Sequence, residues 1–199
     1  MNSIDFWFSI GSTYTYLTVM RLPSVEASSG VPFVWRPFNV RTIMVEQNNI
    51  PFAKKPVKLA YMWRDIERRA AKYGLPVAVP APYPLANLAL ANQVALLGMR
   101  EGWGREYVIE TYRLWFQAGH PAGSEPTLSD SLRRIGQEPA RVLDLAGSPK
   151  IEQALEAETA AARDRGVFGA PTFDVDGEVF WGDDRLEDAI SWRRHGRVT

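Results

Sequence analysis

Strand-forming signals occupy only the two ends of this 199-residue chain, and that distribution limits its possible folds more than any other feature. Ile4 to Ile10 reads IDFWFSI, a short run of aromatic and β-branched residues that predicts a buried strand. Gly11-Ser12 punctuates it, and a helix follows with Tyr16, Leu17 and Met20 on one stripe and Pro23 as an expected kink. Val31 to Arg36 (VPFVWR) reads as a second strand, so the opening is a βαβ unit with a parallel pair. Near the other end, Pro171–Val175 and Glu178–Gly182 flank Asp176-Gly177, the strongest short hairpin signal, and Asp183–Arg194 reads as a closing helix. Between residues 55 and 165 there is no strand signal. Helical spacing recurs over Pro51–Gly74, Leu85–Arg100, Gly104–Ala118, Leu128–Gly136, Gln137–Leu145 and Lys150–Gly166, with a proline-rich loop at Pro76–Pro84.

The order βαβ, helices, ββα is that of an α/β thioredoxin-like sheet with a large all-helical insertion. Residues 1–50 and 166–199 are expected to form the sheet domain and 51–165 the inserted helical domain, because each half of the sheet needs the other to bury its faces. The chain contains no cysteine, which excludes disulfides, thiolate metal sites, cysteine nucleophiles and thiol–disulfide exchange on its own residues. His120 and His195, its two histidines, form no helical metal-ligand pair, so no metal site is expected. Lys plus Arg number 23 and Asp plus Glu 23, and this balance, without a long basic block, gives no reason to expect a nucleic-acid or membrane-surface partner. No stretch is apolar over the length of a membrane span. Met1 leads directly into the strand-like run that carries Asp5, so no secretory leader is expected and the expected location is cytoplasmic.

Three segments carry chemistry. Ser12-Thr13-Tyr14-Thr15 stands at the junction of the first strand and helix, where free backbone N–H groups and the helix dipole favour an anion. Thioredoxin-like oxidoreductases place a Cys-x-x-Cys there. Ser12 is either an N-cap or a hydroxyl that donates to a thiolate brought in by a ligand. The second segment is Gly166 to Thr172. A trans Ala170–Pro171 bond would make an ordinary turn into an edge strand, whereas a cis bond would turn the Ala170 backbone toward the first helix, where an extended peptide can pair with it. In the third segment Asp183 and Asp184 open the last helix, either as caps or as partners for an ammonium group.

These segments together resemble the 2-hydroxychromene-2-carboxylate isomerases and kappa-class glutathione transferases of the DsbA-like group. The family's S-P-[YF]-[ST]-[YW]-L helix start is matched by Ser12-Thr13-Tyr14-Thr15-Tyr16-Leu17, its G-N-x-P by Asn48-Asn49-Ile50-Pro51, and its K-x-x-Y-M-x-x-D by Lys58 to Asp65. G-V-F-G-x-P-T-F is matched at residues 166–173 and W/F-G-x-D-R-L at 181–186.

The resemblance implies glutathione as cofactor, bound by Ser12, Thr13, Tyr14, Asn49, Ala170, Pro171, Asp183 and Asp184, with Ser12 the catalytic residue at the sulfur. It implies a small aromatic substrate contacted by Tyr83, and a homodimer. The implied reaction interconverts 2-hydroxychromene-2-carboxylate and trans-o-hydroxybenzylidenepyruvate, a step of aromatic hydrocarbon degradation, by reversible thiolate addition. Two alternatives remain: a kappa-like transferase that conjugates electrophiles, and a non-catalytic thioredoxin-like binding protein.

The chain departs from the pattern at Thr13, where the family has proline, at Asn48, where it has glycine, and at Val45, where several isomerases carry a lysine for the substrate carboxylate. Asn48 suits a left-handed backbone. Arg41 and Lys54 are the candidate replacements for the lysine, and Tyr83, Trp115 and Phe168 are candidates either to wall an apolar pocket or to pack the core.

Overall fold

The computed structural model describes residues 3–50, 52 and 55–199. Four strands form one mixed sheet: β1 (Ile4–Phe8), β2 (Phe33–Pro37), β3 (Thr172–Val175) and β4 (Glu178–Trp181), in the order β2-β1-β3-β4. β1 runs parallel to β2 with Phe6 opposite Trp35, and antiparallel to β3 with Phe6 opposite Phe173. The two ends of the chain therefore meet at the centre of the sheet. β1 and β3 also set Asp5 opposite Asp174, and each carboxylate has its own guanidinium: Arg36 at 2.9 Å and Arg165 at 2.8 Å. Those pairings offset what would otherwise be a destabilising like-charge pair. At the β3–β4 hairpin, Asp176 (φ 55°) and Gly177 (φ 99°) both have the positive φ that a two-residue turn requires.

Alternation along β1 divides the interior. Ile4, Phe6 and Phe8 enter the main core with Tyr16 and Leu17 of helix α1 (Thr15–Ser29), Phe173, and Leu186 and Ile190 of the last helix. Phe6 stacks on Phe8 (5.4 Å) and Phe173 (5.6 Å) and meets the edge of Trp35 (5.2 Å). Trp7 points the other way, into a smaller core with Phe38, Val40, Ile43, Ala162, Val167 and Ala170.

Helix α1 runs through Pro23 without interruption, a departure from the expected kink; Pro23 is exposed, so the turn it loosens faces solvent. Between β2 and β3 the described residues form α2 (Val40–Glu46), α3 (Pro56–Tyr73), α4 (Leu88–Glu101), α5 (Gly104–Gln117), α6 (Thr127–Arg134), α7 (Pro139–Ala146) and α8 (Pro149–Asp164). α3 buries Met62, Ile66 and Ala70, the stripe its spacing predicts, and stops at Gly74 (φ 66°). α2 was not expected. Its seven residues are too few for a period to show, and its signal is local: Asn39 Oδ1 accepts the Arg41 N–H at 3.2 Å, ahead of buried Val40 and Ile43. α8 packs on β2 and α2, with Thr159 Oγ1 accepting the Asn39 N–H at 3.0 Å. A 3-10 turn at Asp183–Arg185 leads into α9 (Leu186–His195). No helix among the described residues is long and apolar enough to cross a membrane.

Candidate functional site

The segment Gly11–Tyr14 links β1 to α1 and faces the Gly169-Ala170 turn that precedes β3. The Ala170–Pro171 peptide is cis. Ser12 is not the N-cap: the helix begins at Thr15, and Tyr14 holds the cap position without a side-chain bond. The Ser12 hydroxyl has a partner elsewhere. Its Oγ donates to the carbonyl oxygen of Ala170 at 2.6 Å, a contact that no local pattern in the sequence would reveal. Thr13 is buried, with Oγ1 3.0 Å from the Met62 sulfur. Tyr14 donates to Asp65 Oδ2 at 3.0 Å; burial and then this bond push its phenol well above the ordinary range, so it stays protonated.

Two adjoining clefts open here. The first, of about 260 Å³, is lined by Ser12, Thr13 and Tyr14, by Arg41 and Met44 of α2, by Asn49, Phe52, Lys58 and Tyr83, and by Phe168 to Ala170. The second, of about 310 Å³, is lined by Asp65 and Arg69 of α3 and by Pro171, Asp183 and Asp184. Tyr14, Tyr61, Ala170 and Trp181 border both. The Trp181 ring lies directly on Gly169, where an added Cβ would overlap the indole Nε1, and it packs on Phe168 at 4.9 Å.

The two ends of this groove differ in charge. At the first, Arg41 and Lys58 supply cations. Among the described residues Arg41 makes no ion pair; its backbone N–H is held by Asn39. Tyr83 stands edge-on to Phe52 (6.0 Å) and Trp63 (6.1 Å), and burial raises its phenol pKa against the opposing effect of Arg41. At the second, Asp183 is buried, with Oδ1 accepting from Thr18 (3.1 Å) and Arg21 (3.3 Å). Its Oδ2 is buried without a hydrogen-bond partner among the described residues. Burial raises this carboxyl above its ordinary pKa, although Arg21 and then the Thr18 and Tyr73 hydroxyls pull the other way. Asp184 is half-exposed and pairs with Arg69 at 3.5 Å.

Of the residues singled out from sequence, Ser12, Thr13, Tyr14, Asn49, Ala170, Pro171, Asp183, Asp184, Tyr83 and Arg41 all line one or both clefts. Lys54 and Pro51 lie outside the described residues. Asn48 adopts the left-handed backbone expected of it (φ 50°), which aims the following Asn49 into the first cleft. Val45 does not reach the cleft; it is exposed and lines a shallower depression that shares Arg41 and Leu88 with it. Trp115 is not a wall: it is fully buried on α5, with Nε1 donating to Pro82 O at 2.7 Å. Lys58, Tyr61 and Trp181 were not expected at the site. The signal for the first two was present in the spacing of Lys58, Tyr61 and Met62, which puts them on one face of α3.

Residues 3–190 match the DSBA-like thioredoxin domain family. The chain is 28% identical to a 2-hydroxychromene-2-carboxylate isomerase of Sphingobium xenophagum, over 93% of this chain and 94% of that one. It is 24% identical to glutathione S-transferase kappa 1 of Caenorhabditis elegans, over 92% and 87%. A solved structure of a 2-hydroxychromene-2-carboxylate isomerase superposes with a TM-score of 0.82 at 26% identity, covering 93% of this chain and 91% of that one.

Proposed function

The chain belongs to the DSBA-like thioredoxin domain family, and from that premise we propose that it is a glutathione-dependent isomerase acting on 2-hydroxychromene-2-carboxylate and trans-o-hydroxybenzylidenepyruvate. The observation that carries the proposal is the charge order of the groove: cations at one end, a hydroxyl and a strand-like backbone in the middle, and a buried unpartnered carboxylate oxygen at the other. Glutathione has the complementary order of glycyl carboxylate, thiol and γ-glutamyl ammonium. The names of the relatives at 24–28% identity point the same way.

The residues present fit this ligand. Asp183 Oδ2 makes no close hydrogen bond, although the Tyr73 hydroxyl lies near enough to the carboxylate to lower its pKa, and an ammonium group supplies a full donor. Lys58 and Asn49 face the position of the glycyl end. Ser12 Oγ and Ala170 O, which satisfy each other across 2.6 Å, are the two groups that the cysteinyl unit needs: a donor for its sulfur and an acceptor for its N–H. Binding therefore exchanges one hydrogen bond for two and leaves neither protein group idle.

When bound, the thiolate supplies a nucleophile that adds reversibly to a conjugated double bond and so allows rotation about it. Ser12 and the amides opening α1 hold that negative charge, and among the described residues the Thr13 and Tyr14 N–H groups meet no acceptor. Tyr14 is fixed by Asp65, which keeps its ring at the border of the two clefts. Arg41 meets the substrate carboxylate in place of the lysine that Val45 replaces, and Tyr83, Phe52 and Phe168 enclose the aromatic ring. A homodimer and a place in aromatic-compound breakdown belong to the same reading.

The experiment is turnover of o-hydroxybenzylidenepyruvate, followed by absorbance with and without glutathione. The expected result is a glutathione-dependent change in which total glutathione stays constant. Stoichiometric consumption of glutathione would assign a conjugating transferase instead. No binding of glutathione by calorimetry would remove both readings.

A further inference from the structure

The segment carrying Ser12 leaves the sheet early: β1 pairs with β2 only as far as Phe8 and with β3 only as far as Trp7. The next residues, Ser9 and Ile10, are fully buried, so their backbone groups need partners from elsewhere. The Ser12 N–H reaches Ser9 O at 3.0 Å, and two side chains of the helical stretch supply the further partners. Asn92 of α4, fully buried, accepts the Ile10 N–H at 2.8 Å through Oδ1 and donates to the Ile10 carbonyl at 3.0 Å through Nδ2. One amide thus holds both polar groups of one residue, as an adjacent strand would. Nδ2 also lies 2.7 Å from Leu88 O and 3.3 Å from Ser9 Oγ.

Tyr112 of α5 completes the frame. Its hydroxyl lies 3.0 Å from Ser9 O and 3.0 Å from Ser12 O, and one proton is shared between the two carbonyls. Burial holds the phenol far above its ordinary pKa, so it remains a donor. Its ring is stacked on Trp115 at 5.6 Å. The carbonyl of Ser12 is therefore pinned on one side while its hydroxyl points into the cleft toward Ala170.

We propose that Tyr112 and Asn92 are positioning residues that fix the aim of the Ser12 hydroxyl, so that the helical stretch between β2 and β3 acts as a frame for the catalytic segment as well as a wall of the cleft. The proposal rests on the reading of Ser12 as the thiol's partner. Its physical basis is that a hydroxyl's direction follows its own backbone, and a donor displaced by a fraction of an ångström loses much of its effect on a reacting atom. Tyr107 provides the comparison. It is equally buried on the same helix, but its hydroxyl approaches Ala91 O at 3.4 Å and does not touch the Ser12 segment.

The test compares Tyr112→Phe with Tyr107→Phe, first by hydrogen exchange of the ligand-free proteins and then by kinetics. In Tyr112→Phe the Ser12 amide, whose N–H donates to the same Ser9 carbonyl at 3.0 Å, is expected to exchange about tenfold faster. Its kcat should fall about tenfold while KM for glutathione stays nearly constant. Tyr107→Phe should do neither. Asn92→Ala, read in the same way, should loosen the same segment, and it decides the matter if Tyr112→Phe loses its fold. Wild-type exchange at the Ser12 amide in both Tyr112→Phe and Asn92→Ala overturns the proposal, as do equal effects in Tyr107→Phe. If the wild-type protein ignores glutathione, the functional reading fails, while the exchange result still decides whether these side chains hold the Ser12 segment.

Discussion

Ser12 Oγ and Ala170 O, 158 positions apart in the chain, lie 2.6 Å apart in the fold. The contact joins the start of α1 to the turn before β3, the two segments that border the groove. It also keeps a donor and an acceptor satisfied while each remains within reach of a ligand.

Ser12→Ala removes the donor and leaves the helix terminus. Turnover should drop by about a hundredfold or more, in the range found when one donor to a developing anion is deleted. Stability should fall by only about 1 kcal/mol, because a single partly buried bond is lost. Steady-state rates and a thermal midpoint on the same preparation check both statements. Undiminished turnover would remove Ser12 from the mechanism.

Under the proposal that the glutathione ammonium docks at Asp183, the raised pKa of this carboxyl predicts a pH signature for binding. An ammonium group pairs with the carboxylate and not with the carboxylic acid, so binding expels the proton and lowers this pKa. Affinity should therefore rise with pH through a window lying above the ordinary aspartate range. S-methylglutathione is the appropriate probe, since it has no titrating thiol. In Asp183→Asn the slope should vanish and affinity should be uniformly weak; a slope that persists in that variant assigns the proton to another group.

Arg41→Ala tests the proposed role of Arg41 as the partner of a substrate carboxylate. KM for carboxylate-bearing substrates should rise by about tenfold or more, the usual cost of a charge-assisted bond. Affinity for glutathione and turnover of uncharged electrophiles should hardly change. An equal loss on charged and uncharged substrates would mean that Arg41 shapes the cleft without binding the anion.

Gly169→Ala tests the indole that borders both clefts. The new methyl would overlap Trp181 Nε1, so the ring must swing off the Gly169 backbone. Overpacking of this kind costs about 1–3 kcal/mol, and glutathione affinity should weaken by about tenfold. A calorimetric titration checks it, and unchanged affinity would show that the ring's position is immaterial to the ligand.

The sheet was legible because its signals are local. Aromatic and β-branched runs and the Asp176-Gly177 turn are each written within a few residues, and β1, β2 and the β3–β4 hairpin follow from them. α2 was not, since seven residues carry too little periodicity. Ser12 reads from sequence as either an N-cap or a donor to a ligand's thiolate, because the sequence displays the helix start and conceals the carbonyl that arrives from residue 170. Trp115 reads from sequence as either a pocket wall or a core residue, because an aromatic side chain suits both and only the packing around α5 separates them. Asn92 and Tyr112 left one trace, a polar group on the buried face of a helix. Their targets, the Ile10 backbone and the Ser12 carbonyl, are specified only in three dimensions.

Because β1 is flanked by β2 on one side and by β3 on the other, its second neighbour is made only after all of α2 to α8 has been synthesised. A nascent chain that has emerged as far as α8 holds Ser12, Asn92 and Tyr112 but has no Ala170 and no Asp183. The unpaired edge of β1 is then open to association with other chains. The groove beside Ser12 is therefore completed only when the turn before β3 and the segment after β4 are made, and a product terminated before them keeps the open edge without the Ala170 and Asp183 that border the groove.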